Sequence, residues 1–169
     1  MKLFILRHAI AVPRGTAGYR DDSRRPLTKE GITTTRRGVR GMRRLKLDFD
    51  LVLSSPYRRA KHTAEIVVRA LGIEDRLRFT DHLAAEAAPR QLVAEIQHSY
   101  AGKNSILLVG HEPYLTELVS LLLGGKPGLP LVLKKGGLCK LEIGALRPGP
   151  CARLLWWLTP RQLVLLGKT

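Results

Sequence analysis

The sequence predicts an α/β fold in which a mostly parallel, helix-covered sheet carries an antiparallel element towards its end. Short apolar runs of strand length alternate with segments of helical spacing as far as Leu123. Past a glycine- and proline-rich stretch, two more apolar runs are joined by Arg147-Pro148-Gly149-Pro150, which reads as a hairpin-like end. A length of 169 residues suits one domain spanning 1–169 and is too short for two separate cores. Alternation stacks helices on parallel strands, and the late pair supplies the antiparallel ones. No internal repeat or low-complexity segment interrupts the pattern.

The first strand is Lys2 to Leu6. Val12 to Arg25 is polar and contains glycine, so it reads as a long loop, and long loops in compact domains often carry function. Thr28 caps a helix to about Leu45, in which Ile32, Thr35, Val39 and Met42 recur at helical spacing. Arg36, Arg37, Arg40, Arg43 and Arg44 fall largely on the other side, and that face is expected to be solvated rather than an RNA-binding surface. Leu51 to Ser54 is the second strand. Ser55 and Pro56 fit the N-cap and first position of a helix that buries Ala60, Ala64, Val67 and Leu71 and stops at Gly72. A weak strand near Arg76 to Thr80, a helix near Pro89 to Ser99 and a strong strand Ser105 to Val109 follow. Pro113 opens a helix to about Leu123, ended by Gly124-Gly125. Leu138 to Ile143 and Ala152 to Leu158 complete the strands, the latter placing at least one of Trp156 and Trp157 in the core.

Composition narrows the function classes. With 44% hydrophobic and 25% charged residues, the chain is neither disordered nor fibrous. Its 29 Lys and Arg against 14 acids leave a net charge of +15 and a pI near 10.6, which favours phosphoryl compounds, nucleic acid or lipid head groups. Aromatics make up only 5%, which weighs against a single-strand nucleic-acid surface, where rings alternate with cations. No run approaches the roughly 18 apolar residues of a membrane span, since Glu117 interrupts Leu115 to Leu123. The N-terminus has no signal-peptide core. Cys139 and Cys151 lack C-x-x-C spacing and a nearby histidine, so they are expected to be inert strand residues rather than zinc ligands. A cytoplasmic, reduced protein without membrane contact is the expectation.

Unusual residues follow three of the strands: Arg7-His8, Arg58-Arg59 one helical turn past Ser55, and His111 after Gly110. Ligands of open α/β sheets bind outside the carboxyl ends of the strands, so parallel neighbours would bring these residues to one cleft. Two imidazoles and two guanidiniums suit a phosphoryl group. A neutral imidazole attacks phosphorus in line, and planar donors neutralise the nonbridging oxygens. Adjacent cations also disfavour the non-nucleophilic imidazolium. This chemistry calls for no metal and no cofactor.

Four motifs in order carry a resemblance: Leu6-Arg7-His8-Ala9; Arg25-Pro26-Leu27-Thr28 with Gly31; Ser54-Ser55-Pro56 leading into Arg59-Ala60 and Thr63-Ala64; and Val109-Gly110-His111-Glu112-Pro113. They resemble the histidine phosphatase superfamily, and within it the short SixA-type phosphohistidine phosphatases, over nearly the whole chain including Leu158 to Leu163. The resemblance implies a three-layer α/β/α, phosphoglycerate mutase-like fold. It implies His8 as nucleophile, Arg7 and Arg59 as phosphate clamps, and His111 as a hydrogen-bonding partner of the phosphoryl group. Arg58 is then solvated, and the start of the Pro113 helix could add backbone donors.

Two positions depart from the family pattern. Ala9 stands where many relatives have glycine, as it also does in the SixA-like branch. Ala85 stands where relatives that cleave phosphate monoesters commonly have an acidic glutamate. An alkoxide needs a general acid to leave, and an imidazole leaving a phosphoramidate needs one less. The expected substrate is therefore phosphohistidine in a protein or peptide. A small-molecule phosphomonoesterase using Glu86 as its acid is the same-fold alternative, and a noncatalytic basic nucleic-acid-binding module is the alternative of a different class. Outside those roles, Glu86 and Glu112 are read as solvated or helix-N-terminal carboxylates. His62, His82 and His98 are read as surface or loop residues, and Lys134-Lys135-Gly136-Gly137 as a flexible approach with solvated lysines.

Overall fold

The computed structural model describes residues 1–168. Its strands are β1 (Lys2–Arg7), β2 (Leu51–Ser54), β3 (Leu77–Phe79), β4 (Ser105–Gly110), β5 (Leu138–Ile143) and β6 (Ala152–Leu158). Its helices are α1 (Lys29–Arg44), α2 (Arg58–Leu71), α3 (Pro89–Ser99), α4 (Tyr114–Gly124) and α5 (Pro160–Leu166). The strands form one sheet in the order β3-β2-β4-β1-β5-β6. β3, β2, β4 and β1 run parallel, while β5 is antiparallel to β1 and β6 to β5.

Strand parity divides the core into two. Leu3 and Ile5 of β1, Leu51 and Leu53 of β2, and Ile106 and Leu108 of β4 face α3 and α4, meeting Leu92, Ile96, Leu115 and Leu118. Phe4, Leu6, Val52, Leu107 and Val109 face the opposite way, against Val39 and Met42 of α1, Ala64 and Val67 of α2, and Leu163 of α5. Parallel strands buried on both faces need apolar residues at every position, which is why these runs do not alternate. The result is three layers. Each fully buried Leu or Ile contributes about 1.5–3 kcal/mol by leaving water.

Most element ends follow local chemistry. Thr28 caps α1 by accepting from the Gly31 N–H, and glycines at positive φ close α2 (Gly72, 72°) and α4 (Gly125, 82°). α2 differs from expectation: it starts at Arg58, with Tyr57 rather than Ser55 at its cap. The cause is tertiary. The Ser55 N–H still pairs with the Val109 carbonyl at 3.0 Å, so the chain stays extended one residue past β2. α5 has only seven residues, too few for periodicity to reveal. Its start is nonetheless written in Thr159-Pro160-Arg161-Gln162, a capping box with proline in the first turn. Trp156 and Trp157 are a correction, because both are only partly buried: β6 is an edge strand, and the rings lean one on each core. Cys139 is buried in β5, while Cys151 lies just before β6 rather than within it. Among the described residues no helix is long and apolar enough to cross a membrane.

Candidate active site

The site lies where β1, β2 and β4 end together. Arg7 pairs in register with Gly110, and the His8 N–H continues the ladder to the Gly110 carbonyl at 3.0 Å. His8 and His111 therefore leave adjacent parallel strands side by side, their ring centres 5.1 Å apart. The third contribution comes from the first turn of α2, where Arg59 points inward and is 2% exposed, while Arg58 is exposed. The four residues expected from sequence are thus brought together.

The hydrogen bonds set the state of His8. Its Nδ1 lies 2.7 Å from the Ala9 carbonyl, an acceptor only, so Nδ1 carries the proton and Nε2 presents a lone pair. The Arg59 Nε–H donates to that Nε2 at 3.2 Å. Burial, then His111 and the two arginines, push the His8 pKa down to about 2 against the pull of the Ala9 carbonyl. Burial and Arg59 push His111 down to about 3. Both rings are neutral at physiological pH, as a nitrogen nucleophile requires. His111 Nε2 meets the Ser55 hydroxyl at 2.8 Å, while its buried Nδ1 has no partner among the described residues and is available to a phosphoryl oxygen.

Each arginine is held from outside the cleft. Arg7 donates from Nη1 to the Leu133 carbonyl at 2.8 Å, and its buried Nε is unpartnered among the described residues. Arg59 donates from Nη1 to the Asp22 carbonyl at 2.7 Å and from Nη2 to the Asp22 carboxylate at 2.9 Å. Burial lowers the pKa of both guanidiniums, countered by Glu112 at Arg7 and by Asp22 at Arg59. Burial also acts to raise Asp22, but hydrogen bonds from Arg25 and Arg14 and the charge of Arg59 hold it well below the usual carboxylate range. The backbone around His8 is fastened as well. The Gly136 N–H is shared between the Arg7 and His8 carbonyls at 3.1 and 3.2 Å, and the Ala9 N–H donates to the Thr63 hydroxyl at 3.1 Å.

Glu86 is not in this cradle. It stands exposed at the rim, accepting the Tyr57 hydroxyl at 2.6 Å. Glu112 sits at the N-terminal side of α4 and accepts from the Thr116 hydroxyl at 2.6 Å, and burial raises its pKa. The Leu115 N–H closes onto the His111 carbonyl at 2.9 Å, so that donor at the start of α4 is not offered to a ligand. His98 is exposed, His62 is half-buried, and His82 bonds Glu95 at 2.9 Å. Lys134 and Lys135 are solvated, as expected. Asp22, Ser55, Tyr57 and Thr63 are site residues to which sequence reasoning gave no part in the chemistry. For Asp22 a signal existed, since Asp21 and Asp22 are the only acids before Glu30 in a stretch rich in arginine. No group of three or more His, Cys, Asp or Glu among the described residues could hold a metal ion.

Paired neutral histidines flanked by one buried and one half-buried arginine at the carboxyl ends of a parallel sheet define a phosphoryl-transfer site. Residues 3–86 match the family model of the histidine phosphatase superfamily (branch 1), and the chain belongs to that superfamily and is a phosphatase. It is 36% identical to an uncharacterised protein of Picosynechococcus sp. over 149 residues, 87% of this chain and 88% of that one. It is 29% identical to the phosphohistidine phosphatase SixA of Escherichia coli over 127 residues, 75% and 76% of the two chains. A solved structure of the protein histidine phosphatase SixA complexed with tungstate superposes with a TM-score of 0.82 at 26% identity, covering 96% of this chain and 99% of that one. The phosphoglycerate mutase-like fold expected from sequence is therefore the fold observed.

Proposed function

We propose that this phosphatase hydrolyses phosphohistidine in a protein or peptide through a covalent phosphohistidine formed on His8. The observation that carries the reading is the protonation pattern of the cleft. His8 offers a neutral Nε2 beside Arg7, Arg59 and His111, and the carboxylate that could serve as an acid is tied to Tyr57 at the rim.

In the first half-reaction the Nε2 lone pair forms the bond to phosphorus, and the bond from phosphorus to the leaving nitrogen breaks. The incoming phosphoryl oxygens displace the contact between Arg59 Nε and His8 and take its donor for themselves. Arg7 Nε and His111 Nδ1, both buried and without a partner among the described residues, supply further donors to oxygens whose charge grows in the transition state. The Nδ1–H bond to the Ala9 carbonyl stabilises the positive charge His8 acquires. In the second half-reaction water attacks phosphorus, Nε2 takes back its electron pair, and inorganic phosphate and a proton are released.

Similarity to SixA proteins supports the phosphohistidine substrate, as does Ala85, which leaves no carboxylate at the position of the ester-cleaving glutamate. A signalling role and a cytoplasmic setting follow from that substrate and rest on it. The test compares phosphate release from a phosphohistidine-containing protein and from an alkyl phosphate under identical conditions, with His8→Ala alongside. The protein should be strongly preferred, and His8→Ala should abolish turnover of both. Preference for the alkyl phosphate would replace this reading with the phosphomonoesterase one, and undiminished turnover by His8→Ala would remove the covalent mechanism.

A further inference from the structure

Tyr57 and Glu86 form an arrangement that the two half-reactions leave unused. The Tyr57 ring centre lies 5.1 Å from that of His111, the rings tilted by 55°, and the Arg59 guanidinium carbon stands 5.3 Å from the same Tyr57 centre. His111 in turn lies 5.1 Å from His8. Along His8, His111, Tyr57 and Glu86 the side chains pass from buried through half-buried to exposed. The line therefore runs from the nucleophile to solvent. An in-line displacement expels its leaving group on the side of phosphorus away from the nucleophile. A leaving group that is part of a protein must lie on the solvent side, where this pair stands.

We propose that Glu86, held in place by Tyr57, accepts a hydrogen bond from the free ring N–H of the departing imidazole and keeps that ring protonated while the P–N bond breaks; the inference rests on the phosphohistidine reading. Phosphohistidine has one ring nitrogen on phosphorus and one free. With the free nitrogen protonated, the P–N electron pair passes to the scissile nitrogen, His8 Nε2 bonds phosphorus, and a neutral imidazole departs. No proton has to reach the scissile atom. Without that ring proton an imidazolate would have to leave, a far poorer leaving group. A carboxylate beside the ring favours its charged form. An alkyl ester gains nothing from such an acceptor, because its departing oxygen needs a donor. Tyr57 does not supply one, since its hydrogen bond to Glu86, its burial and the Glu86 charge push its pKa up to about 12. Glu86 is thus a leaving-group acceptor and Tyr57 its positioning residue, and together they turn the absence of an acid at Ala85 into selection for an imidazole.

The experiment measures kcat/KM of the wild type, Glu86→Gln and Tyr57→Phe on a phosphohistidine peptide, on an aryl phosphate whose phenolate leaves unaided, and on an alkyl phosphate. Losing the charge of the acceptor should lower the ratio of phosphohistidine to aryl phosphate turnover about tenfold, the size of the difference between a hydrogen bond to a charged acceptor and one to a neutral acceptor. Tyr57→Phe should shift the same ratio in the same direction by a smaller factor. Equal losses on both substrates would make the pair merely structural and overturn the proposal. A loss confined to the alkyl phosphate would make Glu86 a general acid and overturn it as well. A wild type that cleaves the aryl phosphate but not the peptide removes the substrate reading itself, before any variant is compared.

Discussion

Asp22→Asn should slow catalysis several-fold while leaving the protein folded. The Arg59 side chain is 3% exposed, and its two terminal nitrogens are both committed to residue 22, one to the carbonyl at 2.7 Å and one to the carboxylate at 2.9 Å. That leaves Nε to face His8 at 3.2 Å. Asparagine keeps the backbone carbonyl and a side-chain oxygen but removes the charge. A hydrogen bond to a charged group contributes about 1.5–3 kcal/mol, against about 0.5–1.5 for a neutral one. The difference, about 1–2 kcal/mol, falls on the transition state if Arg59 is no longer held in line, and corresponds to about a 5- to 30-fold fall in kcat/KM. Asp22 is itself 30% exposed, so solvent replaces part of what is lost and the lower half of that range is expected. The assay is steady-state hydrolysis of an aryl phosphate, with circular dichroism confirming the fold. Asp22→Ala should be worse, because it strands Arg59 and Arg25 together. A folded Asp22→Asn with kcat/KM within a factor of two of wild type would refute the view that this carboxylate holds the arginine.

Three further outcomes follow from the geometry. A β-carbon on Gly31 would stand 2.1 Å from the Ile10 carbonyl oxygen, and one on Gly41 would stand 2.1 Å from that of Leu163. Both alanine variants should lose about 1–3 kcal/mol of stability, but Gly31→Ala should also lose activity because Ile10 lies two residues from His8, and equal activity losses would contradict this. For pH, the unfolded imidazoles take up protons below about pH 6.5 that the folded ones refuse. With folded values of about 2 for His8 and 3 for His111, stability is full above the unfolded pKa and declines as pH falls below it, whereas turnover of an aryl phosphate, which brings no imidazole of its own, should show no imidazole limb between about pH 5 and 7. A denaturant midpoint that does not fall on acidification through that range, or an activity limb near 6.5, would oppose the assignment. Finally, added salt should slow an acidic phosphoprotein more than a small aryl phosphate if the charge of +15 steers encounter, and equal slowing would remove steering.

What the sequence revealed and what it concealed divide along the range of the interactions. Strands, helices and their stops came from neighbours in the chain: the apolar run before Arg7, Thr28 three residues before Gly31, and Gly72 after Leu71. The start of α2 and the depth of the two tryptophans did not, because a backbone bond to β4 and the position of β6 at the sheet edge decide them. The site divides in the same way. His8 and His111 follow adjacent strands and could be located by position alone, and the family resemblance chose Arg59 over Arg58. Asp22 and Tyr57 gain their roles only through partners 37 and 29 residues away, Arg59 and Glu86.

Those distant contacts change the meaning of the net charge. One carboxylate, Asp22, serves Arg14, Arg25 and Arg59, and of these Arg14 is so exposed that its pair is worth little. Arg7 has no ion pair among the described residues, only the Leu133 carbonyl. The cleft is therefore built with more buried cation than anion, at a desolvation cost that only an arriving anion relieves. Burial first, and this surplus after it, keeps both imidazoles neutral, and the surplus is what a phosphoryl group neutralises on binding. The charge imbalance thus adds to burial in activating the nucleophile and also gives the site its affinity for the substrate, while Asp22 anchors Arg59 inside the cleft.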